Sequence, residues 1–407
     1  MGNMPQIQQP QQRLQLRAAR FPKGAEILVA DDPKAEFFYI IQSGFVLVSM
    51  NTDAANGGGS KKGPGDFIGV ISCMSHRSQV EKVIALTDVI AIAVHRTQYM
   101  DLIKLSTPTA LKIIRTFSKN MKEMNERLML QTTNKKVNEN QALIYQVAKY
   151  YDDDGQEYIS AFAFDKFIKL NIQSPALEYA KRRLVELKQR LKVYPNMEES
   201  LRYYPRGTMI FSEFQSGAEM YIIQNGSVKI TKVLNGTEVT LAVLKSGQMF
   251  GEMALLNNDL RSASAITLED CEIRAVNMAN FQKITESSPD MITNLTKTFA
   301  ERLWLMQRQL INSLLRDDPV AKMIDILSLQ LEKMNYTEKD SVEYQTDFTP
   351  NDIATMCGLT KTEQSRYMFN FMNFRFVETR KNKIFVSDCS EVIKQAAFYR
   401  KKLQRSR

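Results

Sequence analysis

Two stretches of this chain repeat each other. YIIQSG at Tyr39–Gly44 returns as YIIQNG at Tyr221–Gly226, and GDFIG at Gly65–Gly69 returns as GQMFG at Gly247–Gly251, both at an offset of 182 residues. FPKG, ending at Gly24, answers YPRG, ending at Gly207, with one residue of slippage. Several matches in one order and at one spacing mean that a single domain is built twice. The copies span about 21–131 and 201–316. A chain of 407 residues has room for two or three domains, each long enough to bury a core.

Each copy reads as short strands followed by a long helix. In the second, Val228, Ile230, Leu241 and Val243 alternate along two segments joined at Asn235-Gly236. Asn-Gly supplies both positive-φ residues of a type I′ hairpin turn. Gly207, Gly217, Gly226, Gly236 and Gly247 punctuate turns at about ten-residue spacing, which suits an antiparallel barrel or jelly roll. A helix then runs from about Pro289 to Leu315, with Leu295, Phe299, Met306 and Leu310 on one apolar stripe. The first copy ends the same way, through Ile114, Phe117, Met121, Met124 and Leu128. Such a stripe either lies on the helix's own barrel or forms a dimer seam.

Between the copies, 132–200 holds three amphipathic segments, Ala142–Tyr151, Ala161–Leu170 and Ala176–Leu191. The turns are Asp153-Asp154-Gly155 and Ser174-Pro175. Ala163, Phe167 and Pro175 loosely resemble the second half of a tetratricopeptide unit, but one unit cannot stack into a solenoid. The stretch reads as a helical spacer.

Composition narrows the function classes. Hydrophobic residues make up 44% and charged residues 24%, an ordinary globular balance. No apolar run approaches the ~18 residues that span a bilayer, so no membrane partner is expected. The Gln-rich stretch 1–20 has no apolar signal core and reads as a disordered tail of a cytoplasmic protein. Cys73, Cys271, Cys357 and Cys389 are scattered, with only His76 and His95 to assist them, so neither a disulfide framework nor a metal site is expected. Those two histidines stand near no plausible nucleophile, and the chain does not read as an enzyme.

The stretch FGEMALLNNDLRSASA, Phe250–Ala265, carries the chemistry. Gly251 lets backbone approach a ligand closely. Glu252, Met253 and Ala254 open a short helical turn whose free N–H groups favour an anion. Arg261 offers a planar fork matched to phosphate oxygens, and Ser262 adds a hydroxyl. Glu252 cannot favour phosphate and suits hydroxyl donors instead. A ligand with one phosphate charge and a ribose hydroxyl satisfies all of these together.

With those residues in that order, the segment resembles the phosphate-binding cassette of cyclic-nucleotide-binding domains, as in catabolite activator proteins and protein kinase A regulatory subunits. The match runs through Gly251, Glu252, Ala254, Leu255, Arg261, Ser262 and Ala263. The resemblance implies that Glu252 holds the ribose 2′-OH and Arg261 the cyclic phosphate, with Ser262 and the N–H groups near Met253 and Ala254 completing the cradle. It also implies a helix closing over the base. There Trp304 would stack on a purine and Gln307 bond its edge, or Trp304 would sit in a dimer seam. Cyclic AMP is expected ahead of cyclic GMP, with no metal.

The first copy aligns through the same segment, Gly69–Leu86, but Val70 stands for Glu252 and Gln79 for Arg261. Losing both anchors removes the hydroxyl acceptor and the charge partner. The first copy therefore reads as a structural barrel without nucleotide, although His76 or Arg77 could serve a different anion.

The C-terminal stretch has its own grammar. Thr349 is an N-cap with Pro350 at the first helical position, and Gly358 stops that helix. Thr360 with Glu363 forms a capping box for a second helix, which exposes Lys361, Thr362, Gln364, Ser365 and Arg366. A hairpin follows, turning at Arg380–Asn382. Helix, tight turn, helix and basic hairpin make a winged helix-turn-helix. From Met372 onward, ten Lys or Arg face three acids, which accounts for most of the chain's net charge of +9. The order resembles the DNA-binding domain of catabolite activator/fumarate-nitrate regulator proteins. By that resemblance Lys361, Thr362, Gln364, Ser365 and Arg366 meet DNA, backed by Arg380, Lys381 and Lys383.

The expectation is an α+β protein: two tandem antiparallel barrels or jelly rolls of the cyclic-nucleotide-binding kind (21–131 degenerate, 201–316 intact), the spacer 132–200 between them, and a winged helix over 317–407. Its function reads as cyclic-nucleotide-responsive transcription regulation. The partners would be a two-fold DNA operator and a second copy, joined through the helix 289–316. A hinge is expected at Asp317-Asp318, before Pro319. The alternative is a cyclic-nucleotide-dependent regulatory subunit that binds another protein or enzyme.

Overall fold

The computed structural model describes residues 16–33, 35–50, 59–133, 140–190, 199–234, 237–315, 318–357, 359 and 361–405. The expected turn Asn235-Gly236, Gly358, Thr360, Asp317 and nearly all of the N-terminal tail lie outside them.

The first repeat has eight strands: β1 (Arg17–Phe21), β2 (Glu26–Leu28), β3 (Phe37–Ser43), β4 (Val46–Met50), β5 (Ser60–Lys62), β6 (Phe67–Ile68), β7 (Glu81–Ala85) and β8 (Val89–His95). They form two antiparallel sheets, ordered β1-β8-β3-β6 and β2-β7-β4-β5. Three helices belong with them: α1 (Val70–Ser75) before β7, then α2 (Tyr99–Leu105) and α3 (Thr107–Thr133). The spacer follows as α4 (Ile144–Asp153), α5 (Glu157–Lys169) and α6 (Ala176–Arg190).

The second repeat has β9 (Leu201–Tyr204), β10 (Met209–Phe211), β11 (Glu219–Asn225), β12 (Ser227–Leu234), β13 (Thr237–Lys245), β14 (Met249–Phe250), β15 (Ser264–Thr267) and β16 (Cys271–Asn277). Its sheets run β9-β16-β11-β14 and β10-β15-β12-β13. Strand for strand this is the first repeat's topology. The cores align at the same offset: Ile41, Val46, Ile68, Val83 and Ala91 are buried in one, and Ile223, Val228, Phe250, Ala265 and Ile273 in the other. Leu234 pairs with Thr237, so β12 and β13 form the expected hairpin. The helices of this repeat are α7 (Glu252–Asn257), α8 (Met278–Ser287) and α9 (Pro289–Leu314).

Packing divides the chain differently from the sequence. One compact unit is residues 114–288, and the other joins 1–113 to 289–407. The helix that follows the second repeat, α9, is therefore built into the unit of the first. It lies against α1 and α2, with Thr296 bonding the Tyr99 hydroxyl at 2.8 Å. Leu295, Phe299 and Leu310 are buried there. Three residues of the expected stripe thus pack within the unit of the first repeat, while Met306 is half-buried.

In the unit 114–288, the spacer packs on the second repeat. Phe164, Phe167 and Leu187 share a core with Met209 and Ile266. The Tyr151 hydroxyl donates to Glu238 at 2.7 Å.

The C-terminal stretch holds α10 (Pro319–Lys333), β17 (Tyr344–Gln345), α11 (Pro350–Met356), α12 (Lys361–Met372), β18 (Val377–Arg380), β19 (Lys383–Val386) and α13 (Cys389–Arg405). Asp318 caps α10 through the Ala321 N–H at 3.0 Å, with Pro319 at the first turn. Thr349 caps α11 through the Asp352 N–H at 3.2 Å, and Asp352 returns a bond to the Thr349 N–H at 2.7 Å. The hairpin turns on Lys381 and Asn382, at φ 50° and 60°, which is the type I′ pattern on two non-glycine residues.

Buried ions tie α9 to this stretch. Asp325 accepts from Arg308 at 3.2 Å, from Arg400 at 2.8 Å and from Asn312 at 3.0 Å. Arg308 also pairs with Glu332 at 3.0 Å, and Arg400 reaches Asp31 of the first repeat at 3.3 Å. A salt-bridged pair thus spans the expected hinge.

Candidate nucleotide site

Two glycines and two short helices set the site. In the second repeat Gly251 takes φ 76°, ψ 4° and starts α7, which ends on Asn258 at φ 55°. In the first repeat Gly69 takes φ 75°, ψ 4° and starts α1, which ends on His76 at φ 56°. The loop behind matches too. Arg261 N–H donates to Gln215 O at 2.7 Å and Gln79 N–H to Asp32 O at 2.8 Å. The backbone of the cassette is therefore kept in both copies, and only the side chains differ.

In the second copy those side chains bury two opposite charges. Glu252 and Arg261 are each 3% exposed. The guanidinium lies over the Phe211 ring at 4.2 Å. Its Nη1 donates to Gly251 O and its Nη2 to Glu219 O, the latter at 2.6 Å. Nε is buried with no hydrogen-bond partner. Burial pulls the Arg261 pKa below its ordinary range, against the opposing pull of Tyr221, Glu252 and Glu219. The pocket is cut to this side chain: a Cβ on Gly217 would sit 2.5 Å from its Cζ, and one on Gly251 would sit 2.7 Å from Nη1. A phosphodiester anion supplies what the arrangement lacks, an acceptor at Nε and a second counter-charge, so the residues present fit one. Ser262 is half-buried beside them, and Met253 and Ala254 form the first turn of α7.

The helix that meets this cassette is α3, which follows the first repeat. Asn257 donates to the Ser118 hydroxyl at 3.1 Å, and Lys122 pairs with Asp259 at 3.2 Å. Trp304 and Gln307, expected over this site, belong to the other unit. The Trp304 indole N–H donates to Ser78 O of the first repeat at 3.0 Å, and Gln307 is buried. The two long helices are exchanged: each follows one repeat and meets the cassette of the other.

The first cassette is filled from within. Glu81 is 7% exposed, and its carboxylate accepts from the Gly69 N–H at 3.4 Å. The second copy has Ala263 at this position. A carboxylate thus faces the turn where a phosphate would need to lie. Val70 and Gln79 are both buried.

At the C-terminus, Lys361 and Thr362 open α12, their side chains outside the described residues. Ser365 and Arg366 are exposed, while Gln364 turns back to bond Leu359 O at 3.3 Å. Arg380 stacks on Phe385 and pairs with Glu378, Lys383 pairs with Asp347 at 3.1 Å, and Lys381 is exposed at the turn. Among the described residues no three His, Cys, Asp or Glu gather as metal ligands, and no helix is long and apolar enough to cross a membrane.

The sequence model of the cyclic nucleotide-binding domain family matches residues 18–106 and 201–288, the two eight-stranded repeats. The chain thus carries two domains of this class. A Thermus thermophilus cyclic AMP receptor protein is 38% identical over 103 residues, 25% of this chain and 48% of the relative, about half its length. A Mycobacterium tuberculosis CRP-like cAMP-activated global transcriptional regulator is 27% identical over 199 residues, 47% of this chain and 86% of the relative. A Mycosarcoma maydis cAMP-dependent protein kinase regulatory subunit is 36% identical over 94 residues, 22% of this chain and 18% of the relative. Among solved structures, a Thermus thermophilus catabolite activator protein is 24% identical with a TM-score of 0.27, covering 49% of this chain and 90% of that one.

Proposed function

We propose that this protein is a cyclic-nucleotide-responsive transcription regulator that acts as a homodimer on DNA. The observation that carries the reading is Arg261, a buried cation with an unpartnered Nε in a pocket cut to it. Arg261 takes the cyclic phosphate and Glu252 the ribose 2′-OH, with Ser262 and the N–H groups of Met253 and Ala254 around them. Ser118 on α3 lies at the same cassette and supplies the covering helix. The first cassette takes no nucleotide, since Glu81 already holds its turn. Cyclic AMP is the effector, in keeping with the names of the relatives.

The helices α11 and α12 with the β18–β19 hairpin act as a winged helix-turn-helix on a two-fold operator. Ligand in the second repeat acts on α8, which runs directly into α9, and Arg308 carries the displacement to α10 through Asp325. The rival reading, a regulatory subunit for another enzyme, is favoured by the kinase-subunit relative but leaves the basic C-terminal stretch without work.

Calorimetry against cyclic AMP and cyclic GMP, with DNA selection in parallel, tests this. One mononucleotide per chain is expected. A charge-assisted contact is worth ~1.5–3 kcal/mol, so Arg261→Ala should weaken binding by about 10- to 150-fold. Gln79→Ala should leave it unchanged. Nucleotide and DNA should strengthen each other by one common factor. Two equal sites per chain, or nucleotide binding with no DNA selected under any condition, would refute the reading.

A further inference from the structure

We infer that Phe369 reads the methyl group of a thymine in the DNA major groove; this rests on the DNA-binding reading above. The helix α12 has two distinct sides. Phe371 is fully buried in the C-terminal core with Ile353, Val377 and Ile384, and Tyr367, Met368 and Met372 are half-buried beside it. On the other side Glu363, Ser365, Arg366, Phe369 and Asn370 are exposed, with Asn373 exposed just past the helix end. At about 100° per residue, Phe369 lies within ~60° of both Ser365 and Arg366 and ~160° from Phe371. It is thus the centre of the free face, and it is 68% exposed.

An aromatic ring left in water in the middle of a helix face does nothing for the fold. Had it served a protein partner, its neighbours on the helix should form an apolar patch. They are instead serine, arginine and asparagine, side chains that hydrogen-bond base edges. Arg366 beside it and Lys381 at the turn supply positive charge complementary to a phosphate backbone. The one apolar group that a base pair offers in the major groove is the thymine C5 methyl. A helix that presents hydrogen-bonding side chains around one phenyl ring is therefore suited to a site with thymine at a fixed place among hydrogen-bonded bases.

The test uses the full chain with cyclic AMP and the duplex most enriched from a randomised pool. Each thymine of that duplex is replaced in turn by deoxyuridine, which removes only the methyl. One position should weaken wild-type binding by about fourfold, the value of one buried methyl-sized group. Phe369→Ala, at an exposed position, should keep its fold and lose that dependence while still binding DNA. The inference is overturned if no position responds to deoxyuridine, or if Phe369→Ala keeps the dependence. It is equally overturned if Phe369→Ala changes the oligomeric state but not the base preference, which would make the ring a protein contact. If the pool yields no enriched duplex, the DNA reading itself falls and takes this inference with it.

Discussion

Replacing Asp325 by Asn should unfold the unit made of 1–113 and 289–407 at markedly lower denaturant. Asp325 is fully buried and receives Arg308, Arg400 and Asn312 together. Asparagine keeps the shape but removes the charge that both guanidinium groups share. Arg308 would keep Glu332, and Arg400 only Asp31 at 3.3 Å. Breaking a buried pair from one side costs about 3–5 kcal/mol. Asp31→Asn, at the partly exposed rim, should cost about 1 kcal/mol or less.

Trp304 is the only tryptophan and is buried in the same unit, so its fluorescence during urea unfolding follows this unit. The pH dependence has a definite sign. Burial alone would raise the Asp325 pKa, but Arg308 and Arg400 hold it below its ordinary value. Its contribution is then complete above the unfolded pKa of about 3.9 and is lost as pH falls through the lower folded value. The difference between wild type and Asp325→Asn should be flat from pH 5 to 8 and shrink only in stronger acid. A cost under about 1 kcal/mol at pH 7, or a difference that grows on acidification, would show that the network contributes no stability.

Two further outcomes are expected. Lys381 holds φ 50° at the hairpin turn, so Lys381→Gly should stabilise by up to about 1 kcal/mol in thermal unfolding while lowering the salt dependence of DNA binding by about one phosphate contact. All four cysteines are buried; burial pushes the Cys73 thiol up to about 12, and Cys357 and Cys389 to about 11. A thiol reagent at pH 8 should therefore find only about one Cys73 thiolate in ten thousand, reacting slowly with folded protein and with four thiols after denaturation.

The repeat was legible because turn geometry repeats with it. Gly44 and Gly226 each hold a positive φ at a strand end, and the alternating apolar residues between such turns define both barrels. Glu252 and Arg261 stand out in the sequence because their chemistry is specific, and the structure buries both. The partner of each long helix was not. A stripe such as Leu295, Phe299 and Leu310 shows that a helix has a covered side, but any apolar surface of similar shape can cover it. Periodicity alone therefore does not show that the Trp304 indole bonds Ser78 O of the first repeat, or that Ser118 and Lys122 meet Asn257 and Asp259. The pair Arg400–Asp31 joins positions 369 apart and leaves no periodic trace. Glu81 could have been found, since the offset of 182 sets an acid against Ala263 of the second copy.

The order in which the chain is made gives the exchanged helices another meaning. Residues 114–288 are contiguous and can close as soon as they emerge from the ribosome. The first repeat cannot, because its buried helix α1 packs on α9, which is made later. At about 5–20 residues per second, the intervening 175 residues impose a delay of roughly 9–35 s. The first repeat, though made before the second, is thus finished after it. A transcript cut short after the second repeat would release a first repeat that has folded its sheets but still exposes an apolar side to chaperones and proteases.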